Sequence, residues 1–349
     1  MTVAAESKRI AYFDFLRIFA TFAIMIQHIN PYASQDPRTA EYVAQLIFSV
    51  PVRCGVPLFL MISGALFLGS DSSIKRIFTH NILRIVVSFA FWSALYAVVR
   101  TVIFGYGTAN MVIEFFFGHY HMWFLCLIVE LYVLTPIFRK IVSSWKLGKY
   151  FLIILFVYVS LVPMMKNSAT MVSPTLGDLV DKTFEGYFRN QFHLGVFYFI
   201  LGYYLSKCQL TVSRRRWIYL LGVLGVVIAG VGSYILALMG NENLPLIEGY
   251  SILMIAFNCA VFVFARCHCS FDGMKKWAVS LILKLSKYSF GAYLVHALVI
   301  EMIEHYIGFE AFQIGPVLSI LLLFLSVCLI SFVISAILNH IPFLKKYIV

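Results

Sequence analysis

Apolar residues run along this chain in stretches near the length of a bilayer crossing. They fall at about 11–31, 43–68, 82–104, 119–138, 150–165, 191–206, 217–239, 247–265, 288–306 and 313–339. A helix rising 1.5 Å per residue needs about 20 apolar residues to cross ~30 Å of hydrocarbon. The pattern predicts an all-α, polytopic integral membrane helix bundle of about ten transmembrane helices.

Composition strengthens this reading. Hydrophobic residues make up 61% of the chain, charged residues only 12%, and mean hydropathy is +0.89. Soluble domains carry about 25% charged residues. The formal charge of +11 would suit a nucleic-acid partner if it formed one stripe, but it does not. The basic residues gather in alternate connections: Lys8 and Arg9, Lys75 to Arg84, Arg139 to Lys149, Lys207 to Arg216, Arg266 to Lys287, and Lys345 with Lys346. The other connections hold only Arg38, Arg53, Arg100, Lys166, Lys182 and Arg189. By the positive-inside rule this split puts both termini in the cytoplasm and excludes nucleic acid as a partner. Cys267-His268-Cys269 lacks a second ligand pair at zinc spacing, so no metal is expected.

Ionisable groups within spans are costly and default to function. Asp14, Arg17 and His28 all lie in the first run. Asp14 and Arg17 are three apart and share a helix face. Arg17 and His28 are eleven apart, so on a helix they point within about 20° of each other, about 16 Å apart along the axis. A snorkelling arginine and an interfacial histidine would account for each alone; the aspartate and the shared face favour a site. Further polar groups collect towards the outer side: Arg53, His119, His121, Trp123 and His193 near the openings of later runs, and Glu301 and Glu304 near the end of another. His296 sits at mid-span, positioned to line a cavity. Glu130 lies deep in its run, where a bond to a neighbouring helix is expected.

Five segments carry a family resemblance. They are YFDFLRIFATFAIMIQH with Arg17 and His28 in an Arg-x10-His pattern, RCGVPLFLMISGALFLG, HMWFLCLIVELYVLTP, FYFILGYYLS and SFGAYLVHALV. In this order they resemble the acyltransferase-3 family of membrane acyltransferases, and most closely stand-alone O-acetyltransferases of bacterial surface polysaccharides. The resemblance implies one membrane-embedded acyltransferase domain over 1–349, with no fused SGNH-type domain, in the bacterial inner (cytoplasmic) membrane. It implies acetyl-CoA as the acyl donor and a polysaccharide or lipid-linked glycan as acceptor. The basic cluster of Lys75, Arg76 and Arg84 would hold the CoA phosphates, although Asn81 stands where the family usually has Lys or Arg ahead of Arg84. His28 would be the catalytic group, with Arg17 and Asp14 shaping the channel. Arg53, His121, Trp123 and His296 would serve the oxyanion or acceptor. The rival reading is a carrier or flippase that exports a small molecule or glycan unit, with the first-helix polar pair as a proton relay. No matched pair of broken helices in two halves supports it.

Overall fold

The computed structural model describes residues 10–29, 36–105, 107–184, 191–240, 245–309 and 312–349. Of the residues named above, Lys8, Arg9 and Arg189 lie outside them. Among the described residues every regular element is helical. The chain runs through α1 (Ala11–Ile29), α2 (Ala40–Val52) and α3 (Gly55–Leu68). A single turn, α4 (Ile74–Arg76), passes through a π-helical stretch (Ile77–Ile82) into α5 (Leu83–Val102). Then come α6 (Thr108–Phe117), α7 (Trp123–Ser143) and α8 (Trp145–Phe156), with a second π-helical stretch (Val157–Leu161) leading to α9 (Val162–Val172). The remainder is α10 (Pro174–Phe184), α11 (Gln191–Lys207), α12 (Val212–Leu238), α13 (Ile252–His268), α14 (Lys276–Ile307), α15 (Pro316–Leu338) and α16 (Pro342–Tyr347). Side-chain caps start several of them: Thr39, Ser144, Thr211 and Ser251 each accept a backbone N–H of the first turn.

Among the described residues, eight segments are long and apolar enough to cross a membrane. They include eight of the ten expected runs. The other two expected runs fall in α11, which has 17 residues, and in α14, whose middle carries Ser286, Ser289, Tyr293 and His296. The run at 150–165 is longer than its sequence suggested, because α8, its π-helical stretch and α9 form one continuous segment, Trp145–Thr170. The run at 43–68 is two helices. Pro51 has no N–H to give and its ring crowds the carbonyl one turn back, so α2 stops just beyond it and α3 restarts at Gly55.

Side chains are distributed as lipid requires. On α12 the buried face is Gly222, Gly225, Ala229 and Ser233, while Leu221, Val223, Val227 and Val231 are exposed. On α15, Ser319, Ser331 and Ser335 are buried, while Leu325 and Leu329 are exposed. Large apolar groups facing outward over small or hydroxylated seams are the arrangement of a multi-pass membrane protein. At the α3–α11 seam the two backbones come close. A Cβ at Gly64 would strike the Phe199 backbone, and one at Gly202 the Met61 backbone. Glu130 does not turn into the bundle as expected; it lies on an exposed face of α7.

The basic connections are laced together at one end of the bundle. Arg139 donates to the Phe67 and Ser72 carbonyls and to Ser70 Oγ. Arg266 donates to the Leu205 and Cys208 carbonyls, and the Lys207 side chain lies beside Gly69. Arg84 donates to the Val349 carbonyl. His28, His119, His121, His296 and Glu301 meet at the opposite end.

Candidate functional site

The site is built on α1, α5, α7 and α14, where they converge at the His28 end. α1 packs lengthwise on α14, and two polar contacts fix this pairing. Near the basic end, Ser286 Oγ donates to Asp14 Oδ1 at 2.6 Å, and Asp14 is fully buried. Arg17 Nη1 lies 3.5 Å from the same carboxylate oxygen. At the other end His28 Nδ1 lies 2.7 Å from His296 Nε2, with the two rings stacked 12° from parallel.

The protons in this second contact follow from what each atom can do. His296 Nδ1 bonds the Tyr293 carbonyl, which only accepts, so Nδ1 carries the hydrogen. In a neutral His296, Nε2 is then an acceptor, and His28 must donate to it through Nδ1–H. This leaves the lone pair of a neutral His28 on Nε2. His28 itself is half-buried, whereas His296 is wholly enclosed. One carbonyl therefore sets two tautomers in series, as a base is oriented by a partner in other acid–base sites.

A parallel chain of imidazoles lies beside it. His119 Nε2 is 3.0 Å from Glu301 Oε1, and His119 Nδ1 is 2.9 Å from His121 Nδ1. A carboxylate accepts, so His119 donates to it through Nε2–H. His121 Nδ1–H then donates to His119, and the lone pair of His121 falls on Nε2. Arg100 Nε stands 3.7 Å from Glu301, and Arg100 Nη1 also bonds Glu114 at 2.6 Å. The His121 ring meets His296 at 5.0 Å and His28 at 6.3 Å between centroids. The four imidazoles bond each other in pairs instead of converging on a point. Among the described residues no group of three or more His, Cys, Asp or Glu is arranged around a metal ion.

Tyr96 opens this region of α14. Its hydroxyl donates to the Leu294 carbonyl and accepts Leu298 N–H, standing inside the i to i+4 ladder on either side of His296. A side chain inserted there bends a helix. Its ring stacks on His119 at 4.4 Å. Tyr293 OH donates to the His121 carbonyl, joining α14 to the start of α7.

This arrangement meets a direct comparison of the sequence with known proteins. The model of the acyltransferase-3 family, described as an acyltransferase domain, matches residues 10–336 of the chain. The chain belongs to that family. No curated protein and no solved structure gives a match. A membrane acyltransferase needs a group that can take a proton or attack a carbonyl within the bilayer, and the carrier reading gives way to that.

Of the residues expected to form the acyltransferase site, the structure joins His28, His121 and His296 and pairs Asp14 with Arg17. Arg53 bonds Glu248 at 3.3 Å. Trp123 is exposed and meets Phe124 edge-on. Arg84 is half-buried, whereas Lys75 and Arg76 are exposed on their turn. Sequence reasoning missed Tyr96, Tyr293 and Tyr120. The Tyr120 ring meets His28 edge-on at 5.3 Å. Its signal was its place between His119 and His121. Tyr96 lies in an ordinary apolar run and gave none.

Proposed function

We propose that the protein is a membrane O-acetyltransferase of the bacterial inner membrane. In this reading a single membrane domain moves an acetyl group from cytoplasmic acetyl-CoA to a sugar hydroxyl of a surface or lipid-linked polysaccharide at the outer face. The observation that carries it is the Tyr293–His296–His28 relay, which leaves a lone pair on His28 Nε2 at the partly open end of the series.

That lone pair accepts the hydroxyl proton as the sugar oxygen attacks the thioester carbonyl carbon. The C–S bond then breaks, and the departing CoA thiolate takes the proton from the His28 imidazolium. The products are the acetyl ester and CoA thiol. While His28 is charged, its Nδ1–H still points at His296 Nε2, so the imidazolium keeps a hydrogen-bond acceptor without moving. An acetyl-His28 intermediate would use the same lone pair as nucleophile. Arg17, held by Asp14, lines the way from the basic end. His121, a neutral acceptor through Nε2, would orient the incoming hydroxyl. General-base catalysis contributes roughly 10²–10⁴ in rate.

The test is transfer by the purified protein reconstituted in vesicles. Labelled acetyl-CoA supplied on the side of the basic connections should label a glycan acceptor supplied on the other. Labelling only when donor and acceptor share a side would contradict the transmembrane arrangement, and no labelling in any arrangement would contradict the activity.

A further inference from the structure

We propose that the anionic end of the CoA thioester docks in the basic cavity between the start of α5, α14 and the α15–α16 corner, held by Lys287, Lys345 and Lys346. The proposal rests on the acetyl-CoA reading above and adds residues that neither the sequence motifs nor the family resemblance marked. The cavity measures about 630 Å³, and its walls include His80, Arg84, Lys287, His340, Lys345 and Lys346. Among the described residues that line it there is no Asp or Glu. A second cavity of about 550 Å³ shares Lys287 and adds Lys276, Lys284 and Tyr288. Lys287 stands between them, so basic side chains line both cavities along the first half of α14.

The chemistry of the cleft is that of a phosphate receiver. Among the described residues, Lys287, Lys345 and Lys346 make no ion pair with a carboxylate. All three are exposed, and Lys287 and Lys346 lie over the rings of Tyr288 and Tyr347 at 5.2 and 4.8 Å. Like charges so close repel one another, and the repulsion is relieved when an anion enters. A phosphomonoester carries about −1.5 to −2 at neutral pH and accepts charge-assisted bonds. CoA presents one such group beside a diphosphate, with an adenine ring that Tyr288 could stack on. Arg84 forms the fixed inner wall, tied to the Val349 carbonyl and set over the Phe290 ring. His80 comes from the π-helical stretch, a backbone form that often marks functional sites. Lys75 and Arg76, on the turn before it, line neither cavity. Lys287 precedes His296 by nine residues, about 14 Å of helix rise. One helix therefore carries both the receiving cleft and the relay.

A lipid headgroup offers the same phosphate chemistry, so the experiment has an arm for each source. Wild type, Lys287→Gln and Lys345→Gln/Lys346→Gln would be titrated calorimetrically in detergent with CoA and with dephospho-CoA, at about 50 and 200 mM salt. Association with phosphatidylglycerol vesicles would be measured in parallel. The expected result is CoA affinity at least tenfold weaker in both variants, with the loss shrinking at high salt. Wild type should prefer CoA to dephospho-CoA, and the double variant should lose that preference. Lys345→Arg/Lys346→Arg should restore it, which a merely structural role would not require. Unchanged CoA affinity in all variants, or loss of vesicle association alone, would overturn the docking site. Lysine-dependent CoA binding without acetyl transfer would leave the docking site standing and overturn the proposed function. Transfer with lysine-independent binding would do the reverse.

Discussion

The two ends of the α1–α14 pair are built on opposite principles. At the His28 end, polar groups pair in two chains: Tyr293 carbonyl to His296 to His28, and Glu301 to His119 to His121. At the Arg84 end, Lys287, Lys345 and Lys346 line an open cleft and, among the described residues, pair with no Asp or Glu. The first arrangement fixes protons on particular atoms, at the cost of burying polar groups that must stay paired. The second fixes little and attracts strongly. An enzyme that must catch a polyanion on one side and move an acetyl group near the other needs both, and separate ends of one helix pair can supply them without compromise.

This contrast can be broken experimentally, beginning where the expected effect is largest. His296→Ala removes the acceptor for His28 Nδ1–H and frees the ring to turn. Acetyl transfer should fall about 100-fold through kcat, while CoA affinity stays at the wild-type value, since positioning partners of this kind are worth on the order of 10²–10⁴. A loss that appears in CoA affinity instead would show that the two ends are not separate. Next comes the basic end. Lys345→Gln/Lys346→Gln should raise KM for acetyl-CoA about tenfold at low ionic strength and much less at high salt, with kcat nearly unchanged, because exposed charges are screened. A salt-independent effect would mean that the lysines act through packing. The smallest effect is expected at Tyr96→Phe. It removes one hydroxyl that both donates to Leu294 and accepts from Leu298, yet α14 can close its own ladder in response. Stability measured by thermal melting should drop by only about 1 kcal/mol, with a few-fold loss of transfer as His296 shifts. A loss as large as that of His296→Ala would show that the inserted hydroxyl, and not the imidazole pair alone, sets the relay.

How much of this was legible in sequence depended on distance along the chain. Asp14 with Arg17, and Arg17 with His28, could be read because helical geometry alone decides which residues within α1 share a face. The sorting of Lys and Arg between connections could be read because it is a property of each loop by itself. His28 and His296 were each marked as polar groups inside a span, but they are 268 residues apart, and nothing local says that their rings stack. The same limit explains Arg53. It stands at the opening of α3, and the acid it pairs with, Glu248, comes from the segment before α13, far along the chain. Lys345 and Lys346 were read as topology signals, and their gathering with Lys287 into one cleft needed the tertiary fold.

The central claim is that His28 does the chemistry at one end while the donor is caught at the other. The most direct measurement is acetyl transfer and acetyl-CoA binding by the same preparation of His28→Ala. His28 is half-buried and its bonded partner His296 keeps the Tyr293 carbonyl, so the variant should elute as a single species and melt near wild type. The account predicts donor affinity within about twofold of wild type and transfer reduced on the order of 10²–10⁴-fold. A folded His28→Ala protein that transfers acetyl at the wild-type rate would contradict it.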